Sequence, residues 1–179
     1  TSTGFTPITG VLMGTRSGDI DPGVLFYLNR RFGLSIDDMD DLLNRKSGLS
    51  GISGFSKDMG EVIEISGNGD RRCRLAVEMF AYQTKKYIGA YAAVLGGLDG
   101  LVFTAGIGEN SPLIREMICS GLEFLGLELD RTRNNGTSAR EAVISLANST
   151  VKALVIPTDE ERMIALDSIK LMLTDAGKR

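Results

Sequence analysis

The chain of 179 residues has no histidine, two cysteines, four prolines and 6% aromatic residues. Without histidine it lacks the usual general base, every Ser-His-Asp or Cys-His arrangement, and the commonest zinc ligand. Any chemistry must use carboxylates, Arg, Lys or a bound metal. Cys73 and Cys119 stand far from CxxC spacing, each in a stretch that reads as helical. A reduced, cytoplasmic setting is therefore expected rather than a disulfide scaffold. Residues Thr1 to Phe5 carry no basic region followed by an apolar run, so no signal peptide is expected. Nor is positive charge in excess. Twenty Lys plus Arg against 23 Asp plus Glu leave −3, which argues against a nucleic-acid partner.

Long hydrophobic runs are also missing, with one stretch to weigh. Ile88 to Ile107 carries a single charge, Asp99, and is about as long as a bilayer-crossing helix. Gly96-Gly97 and Asp99-Gly100 divide it into the end of an amphipathic helix and a short apolar strand, so no membrane span is expected. What the chain does have is 42% hydrophobic and 24% charged residues, the composition of a soluble globular protein sized for one domain.

Asp21-Pro22 sets a capping residue before a proline at the first helical position, which predicts a helix to about Phe32. Ser35 is expected to cap a second helix, holding Met39, Leu42 and Leu43 and ending at Ser47-Gly48. Gly48 to Gly54 reads as a glycine-rich loop suited to close backbone approach. From about Arg71 to Leu95, Ala76, Phe80, Tyr87, Ile88, Tyr91 and Leu95 recur at helical spacing and predict the longest helix. That stripe faces either the core or a partner subunit. A strand, Leu101-Val102-Phe103, runs into the turn Thr104 to Asn110, and Ser111-Pro112 opens a helix ending near Gly126. Asn134-Asn135-Gly136 reads as a turn. Ala142 to Ser145 and the nearly continuous apolar run Val151 to Ile156 read as strands, the second buried. A last helix runs to about Leu173. Strands alternating with helices make an α/β domain with a mixed or mainly parallel sheet flanked by helices.

Three stretches carry candidate chemistry. Gly106-Ile107-Gly108-Glu109-Asn110-Ser111 lies between a strand and a helix, where exposed N–H groups and a helix N-terminus favour phosphate. It is neither a Walker A motif nor a full GxGxxG, and a plain tight turn stays open beside nucleotide binding. Thr158-Asp159-Glu160-Glu161 fits a capping box, with Thr158 as the cap and Glu161 reaching back. That box leaves Glu160 unused at the carboxyl end of a buried strand, where a carboxylate suits Mg2+. Arg16, between Gly14 and Gly18, is either a solvated residue paired with Asp19 or a guanidinium fork for a phosphoryl group.

Taken in order and spacing, Thr1-Ser2-Thr3-Gly4-Phe5-Thr6-Pro7, Met13 to Pro22, Phe103 to Ser111 and Ile156 to Glu161 resemble the acetate kinase family, which includes propionate and butyrate kinases. The corresponding family motifs are DTSMGFTP, MGTRSGDIDP, FTAGIGENS and IPTNEE, with Asp159 here in place of Asn. The resemblance runs the whole length of the chain. It implies an actin-like, ribonuclease H-like fold of the sugar-kinase and actin superfamily. It also implies reversible transfer of the γ-phosphoryl of ATP to acetate, giving acetyl phosphate and ADP, with Mg2+ as cofactor. By that match Arg16 is the arginine that stabilises the transition state, in a reaction governed by positioning and electrostatics. Glu160 associates with Mg2+, with Glu161 as the fallback, while Gly106, Ile107, Gly108, Glu109 and Asn110 contact the nucleotide and Asp58 lies near its ribose. A carboxylate acceptor is already ionised at neutral pH, so the lack of histidine fits.

The resemblance departs at Asp58-Met59-Gly60, where family members commonly carry Asp-x-Arg. The donor is thereby left open between ATP and others, including pyrophosphate. By the same match residues 1–179 are the single C-terminal, nucleotide-side domain, and the N-terminal half of a family member is absent. With that half go the first phosphate-binding Asn, the acetate-binding Arg, the catalytic Asp and the HLGNGS loop. The expected partners are the missing N-terminal domain and a second copy in a homodimer. Without the acceptor side, no useful turnover is expected of the isolated chain, and a non-catalytic fragment that binds nucleotide and dimerises stays open as the alternative.

Overall fold

In the computed structural model, which describes the backbone of residues 1–176 and side chains through Met172, a small mixed sheet carries helices on its flanks. Strands β1 (Gly100–Phe103) and β3 (Lys152–Val155) pair in parallel, Gly100 opposite Lys152 and Phe103 opposite Val155. Strand β2 (Ala142–Val143) runs antiparallel on the other side of β3. The central strand is β3, with Ala153 and Val155 wholly buried, as its apolar run requires. Further bridges join Leu127 to Val151 and Leu129 to Ser145, so the second predicted strand continues past β2 as a single bridge.

Helix α1 (Gly23–Phe32) starts one residue later than expected, with Pro22 in the cap position, while α2 (Ile36–Arg45) begins where its cap predicts. Asp21 Oδ1 accepts from Gly23 N, and Ser35 forms a reciprocal capping box with Asp38. Neither helix buries a residue. The longest helix, α5 (Arg71–Leu95), has its predicted bounds, opening on Asp70, whose carboxylate accepts from Cys73 N, and ending at Gly96 in the left-handed region. Its buried side chains are the small ones, Cys73, Ala76, Val77, Ala81 and Ala92. Helices α3 (Gly48–Ser53) and α4 (Met59–Gly67) pack against α5, and close approach needs small residues. Toward its end the helix leaves the core: Phe80 and Ile88 are half-buried and Ala92 is still buried, whereas Leu95 is exposed. The aromatic stripe is thus core only at its start.

Four local expectations are corrected. Residues Gly48–Ser53 form a helical turn instead of a loop, stopped by Gly54 at φ 67°. Thr104–Asn110 contains a short helix, α6 (Ala105–Asn110), entered through Ala105 at φ 58°. Helix α7 (Pro112–Cys119), capped by Ser111 as expected, ends at Cys119 because Gly121 turns the chain at φ 81°. A 3-10 turn, Glu123–Leu125, then reaches Gly126. Finally, Asn134 and Asn135 close a short helix, α8 (Arg131–Asn135), instead of making a turn. In α3, α6 and α8 tertiary neighbours fix the chain ends and supply the stability that a single helical turn lacks. Helix α9 (Glu160–Ala176) outlasts its predicted end by one turn. Among the described residues no helix is long and apolar enough to cross a membrane.

Candidate functional site

One cavity of about 680 Å³ is walled by two stretches far apart in sequence, Lys57 to Gly60 with Ile63, and Gly106, Ile107 and Asn110 to Leu113. The first wall exists because Asp58 caps α4, its Oδ1 accepting from Glu61 N at 3.1 Å, so residues 57–60 turn sharply at the helix entrance. The second exists because β1 delivers the chain at its carboxyl end into α6, where sheet proteins place ligands. A Cβ on Gly106 would meet no atom within 4 Å, so this glycine borders open space. Gly108 instead faces the sheet, where a Cβ would lie 3.3 Å from the Phe103 carbonyl carbon. Gly60, where the family resemblance expects an arginine, lies in the cavity wall. The cation at this wall is Lys57, which no sequence motif marked.

The structure therefore gathers Asp58, Gly106, Ile107 and Asn110 around one space. Gly108 and Glu109 are not part of its wall. Glu109 is 9% exposed, and its Oε1 accepts from Thr158 N at 2.8 Å and from Thr158 Oγ1 at 3.1 Å. Asn110 Nδ2 donates to Gly106 O, closing α6 on itself. Behind α6 lies Arg115, fully buried and absent from the sequence reading because it sits on the apolar face of α7. All five of its N–H donors are used, on Asn134 Oδ1, Asn134 O, Gly108 O, Glu109 O and Thr137 O at 2.7–3.0 Å. Burial pushes this guanidinium below its ordinary pKa.

Arg16 rides on a loop built from backbone hydrogen bonds. Met13 N donates to Arg16 O, Ser47 N to Thr15 O, Leu49 N to Met13 O and Ser50 N to Gly14 O. Of the two readings of Arg16, the pairing with Asp19 does not form. Asp19 accepts instead from Gly10 N and from the Tyr87 hydroxyl, which lowers its pKa and pushes Tyr87 up to about 12. Among the described residues Arg16 Nη1 meets only the Met13 thioether, at 3.8 Å, a weak acceptor. The loop abuts the cavity wall, since a Cβ on Gly14 would stand 3.0 Å from Lys57 O.

Glu160 and Glu161 open α9 and are exposed. The capping box centred on Thr158 is corrected: Asp159 caps the helix, its Oδ1 accepting from Arg162 N at 3.0 Å, because Thr158 is engaged by Glu109. Neither glutamate is thus committed to the cap. Among the described residues no three His, Cys, Asp or Glu side chains converge on one point. One or two exposed carboxylates are the donor set that holds Mg2+ together with substrate phosphates, so Glu160 and Glu161 fit that ion.

The sequence profile of the acetokinase family matches residues 1–166. The chain is 51% identical over 172 residues to the acetate kinase of Heliobacterium modesticaldum, covering 96% of this chain and 43% of that protein. The crystal structure of Porphyromonas gingivalis acetate kinase superposes with a TM-score of 0.92 at 48% identity, covering 96% of this chain and 43% of the other. That of a propionate kinase from Francisella tularensis gives 0.84 at 42% identity, covering 92% and 41%. The expected actin-like α/β fold accordingly stands, and the chain spans less than half the length of the relatives it matches. On a profile that covers all but its last thirteen residues, and on a fold shared at this identity, the chain belongs to the acetokinase family.

Proposed function

We propose that this chain is the nucleotide-side domain of a phosphotransferase that moves the γ-phosphoryl group of ATP to acetate. The observation that carries the reading is the convergence of Asp58 to Gly60 with Gly106 to Leu113 on one cavity, in a chain related to acetate kinases throughout. In the forward direction an acetate oxygen forms a bond to the γ-phosphorus. The bond from that phosphorus to the β,γ-bridging oxygen breaks, and its electron pair leaves with ADP. Arg16, free of any ion pair among the described residues, stabilises the charge on the transferring group. Gly106, Ile107, Asn110 and Asp58 hold the nucleotide. Glu160, with Glu161 beside it, holds Mg2+, which neutralises phosphate charge when bound. No general base is needed, because a carboxylic acid with an ordinary pKa is ionised at neutral pH.

The acceptor pocket belongs to residues this chain does not contain, so the isolated chain binds nucleotide without turning it over. The relation to a propionate kinase favours a second reading in which the acceptor is the longer acid. The same proposal includes a homodimer, supported by Phe26, Tyr27 and Phe32 exposed on a helix that buries nothing. The test is a melting curve of the chain with increasing Mg·ADP. At a hundred times Kd a ligand of the native state adds about 2.7 kcal/mol, or several degrees for this size. No shift at millimolar ligand would remove the nucleotide reading. Acetyl phosphate trapped from the chain alone with Mg·ATP and acetate would remove the divided site.

A further inference from the structure

Helix α9 is exposed along every side chain described from Glu160 to Met172, so packing along its length does not set where Glu160 points. The direction is set at its root. Three ties hold that root: Ile156 N donates to Phe103 O, Asp159 caps the helix, and Thr158 gives both its N–H and its hydroxyl to one oxygen of Glu109. The third reaches across 49 residues of sequence into α6. Glu109 is itself immobilised, for Arg115 Nη1 and Ala139 N both donate to its carbonyl oxygen. A buried carboxylate oxygen taking two bonds from one residue, at 2.8 and 3.1 Å, is a rigid strut.

We infer that Glu109 is a positioning residue, whose buried carboxylate ties the nucleotide-facing helix α6 to the β3–α9 junction and so holds Glu160 in register with the metal that accompanies the nucleotide. This rests on the nucleotide reading above. The backbone of α6 borders the cavity through Gly106, Ile107 and Asn110, while the Glu109 side chain leaves in another direction, toward Thr158. Glu160 follows Thr158 by two residues. A ligand that orders α6 therefore orders the position of Glu160, and the binding of nucleotide and metal is coupled through one side chain.

The test is ADP binding to the 179-residue chain by calorimetry, in EDTA and in excess Mg2+, with the ratio of the two affinities as the readout. The wild-type chain is expected to bind ADP more tightly with Mg2+. Glu109→Ala is expected to cut that ratio about tenfold, the loss typical when a residue orienting a metal ligand is removed. Glu109→Gln should keep it, because the amide oxygen accepts the same two bonds. A merely structural role would lower the melting temperature of Glu109→Ala and leave the ratio intact, and that outcome overturns the inference. Should Glu109→Ala fail to fold, Glu109→Met, which fills similar space and removes the acceptor of both bonds, carries the same test, and an unchanged ratio is again decisive against it. ADP binding with no gain from Mg2+ in the wild-type chain overturns the inference alone, whereas no ADP binding in either buffer takes the nucleotide reading with it.

Discussion

Arg115 shows what one buried side chain can organise. Its charge has no carboxylate partner among the described residues, and the full set of five hydrogen bonds to carbonyl and amide oxygens is what makes burial tolerable. Those bonds staple α6 to α7 and α8. Arg115→Ala would orphan several buried acceptors and leave a cavity, and a loss of more than about 3 kcal/mol is expected in urea unfolding. A second residue, Cys119, is 2% exposed, and burial pushes its thiol up to about 12. The folded state therefore keeps the proton where the unfolded chain, near pKa 9, loses it. Stability present below pH 9 is expected to be lost progressively as pH rises from there toward 12. Cys119→Ala should flatten that part of an alkaline denaturation series. The resemblance drew attention to Arg16 and passed over Arg115, because an arginine within an apolar helical face gives no motif to read.

Among the elements, α3 decides how the Arg16 loop is held. Gly48 sits at φ 63°, and a Cβ there would lie 2.1 Å from Met13 O, a backbone atom that cannot swing away. Gly48→Ala is expected to cost at least about 2 kcal/mol, measured by the urea midpoint, and to loosen the loop carrying Arg16. The two glycines of α6 should separate. Gly108→Val crowds Phe103 and is expected to destabilise by about 1–3 kcal/mol. Gly106→Val meets nothing in the fold, so unfolding should barely change while ADP binding weakens. Caps were legible here at Ser35 and Ser111, since a cap is a local contract between neighbours. Thr158 was not, because its hydroxyl answers to a glutamate 49 residues away.

For the whole molecule, the uneven distribution of burial matters most. The core gathers Leu12, Val62, Ala76, Ile114, Ile144 and Val155 from both halves of the chain, while α1, α2 and the described part of α9 bury nothing. Ile164, Ile169 and Met172 stand exposed on α9. Brief trypsin treatment of the native chain is expected to cut after Arg162 well before Arg115, read by mass spectrometry, because cleavage needs local opening and α9 has little packing to oppose it. Cleavage after Arg115 before Arg162 would show that α9 is protected in solution.

By itself the sequence determined the α/β class, the bounds of α5, the central apolar strand, most helix starts and, through four motifs in order, the family. Each of these rests on periodicity, capping or local spelling, which neighbouring residues settle among themselves. Only the tertiary structure decided that Asp58 and Gly106 wall one cavity, that Asp19 binds Tyr87 instead of Arg16, and that Glu109 turns toward Thr158. Those facts depend on which surfaces meet when the sheet closes on α5 and α7, and no pattern within a single element records them.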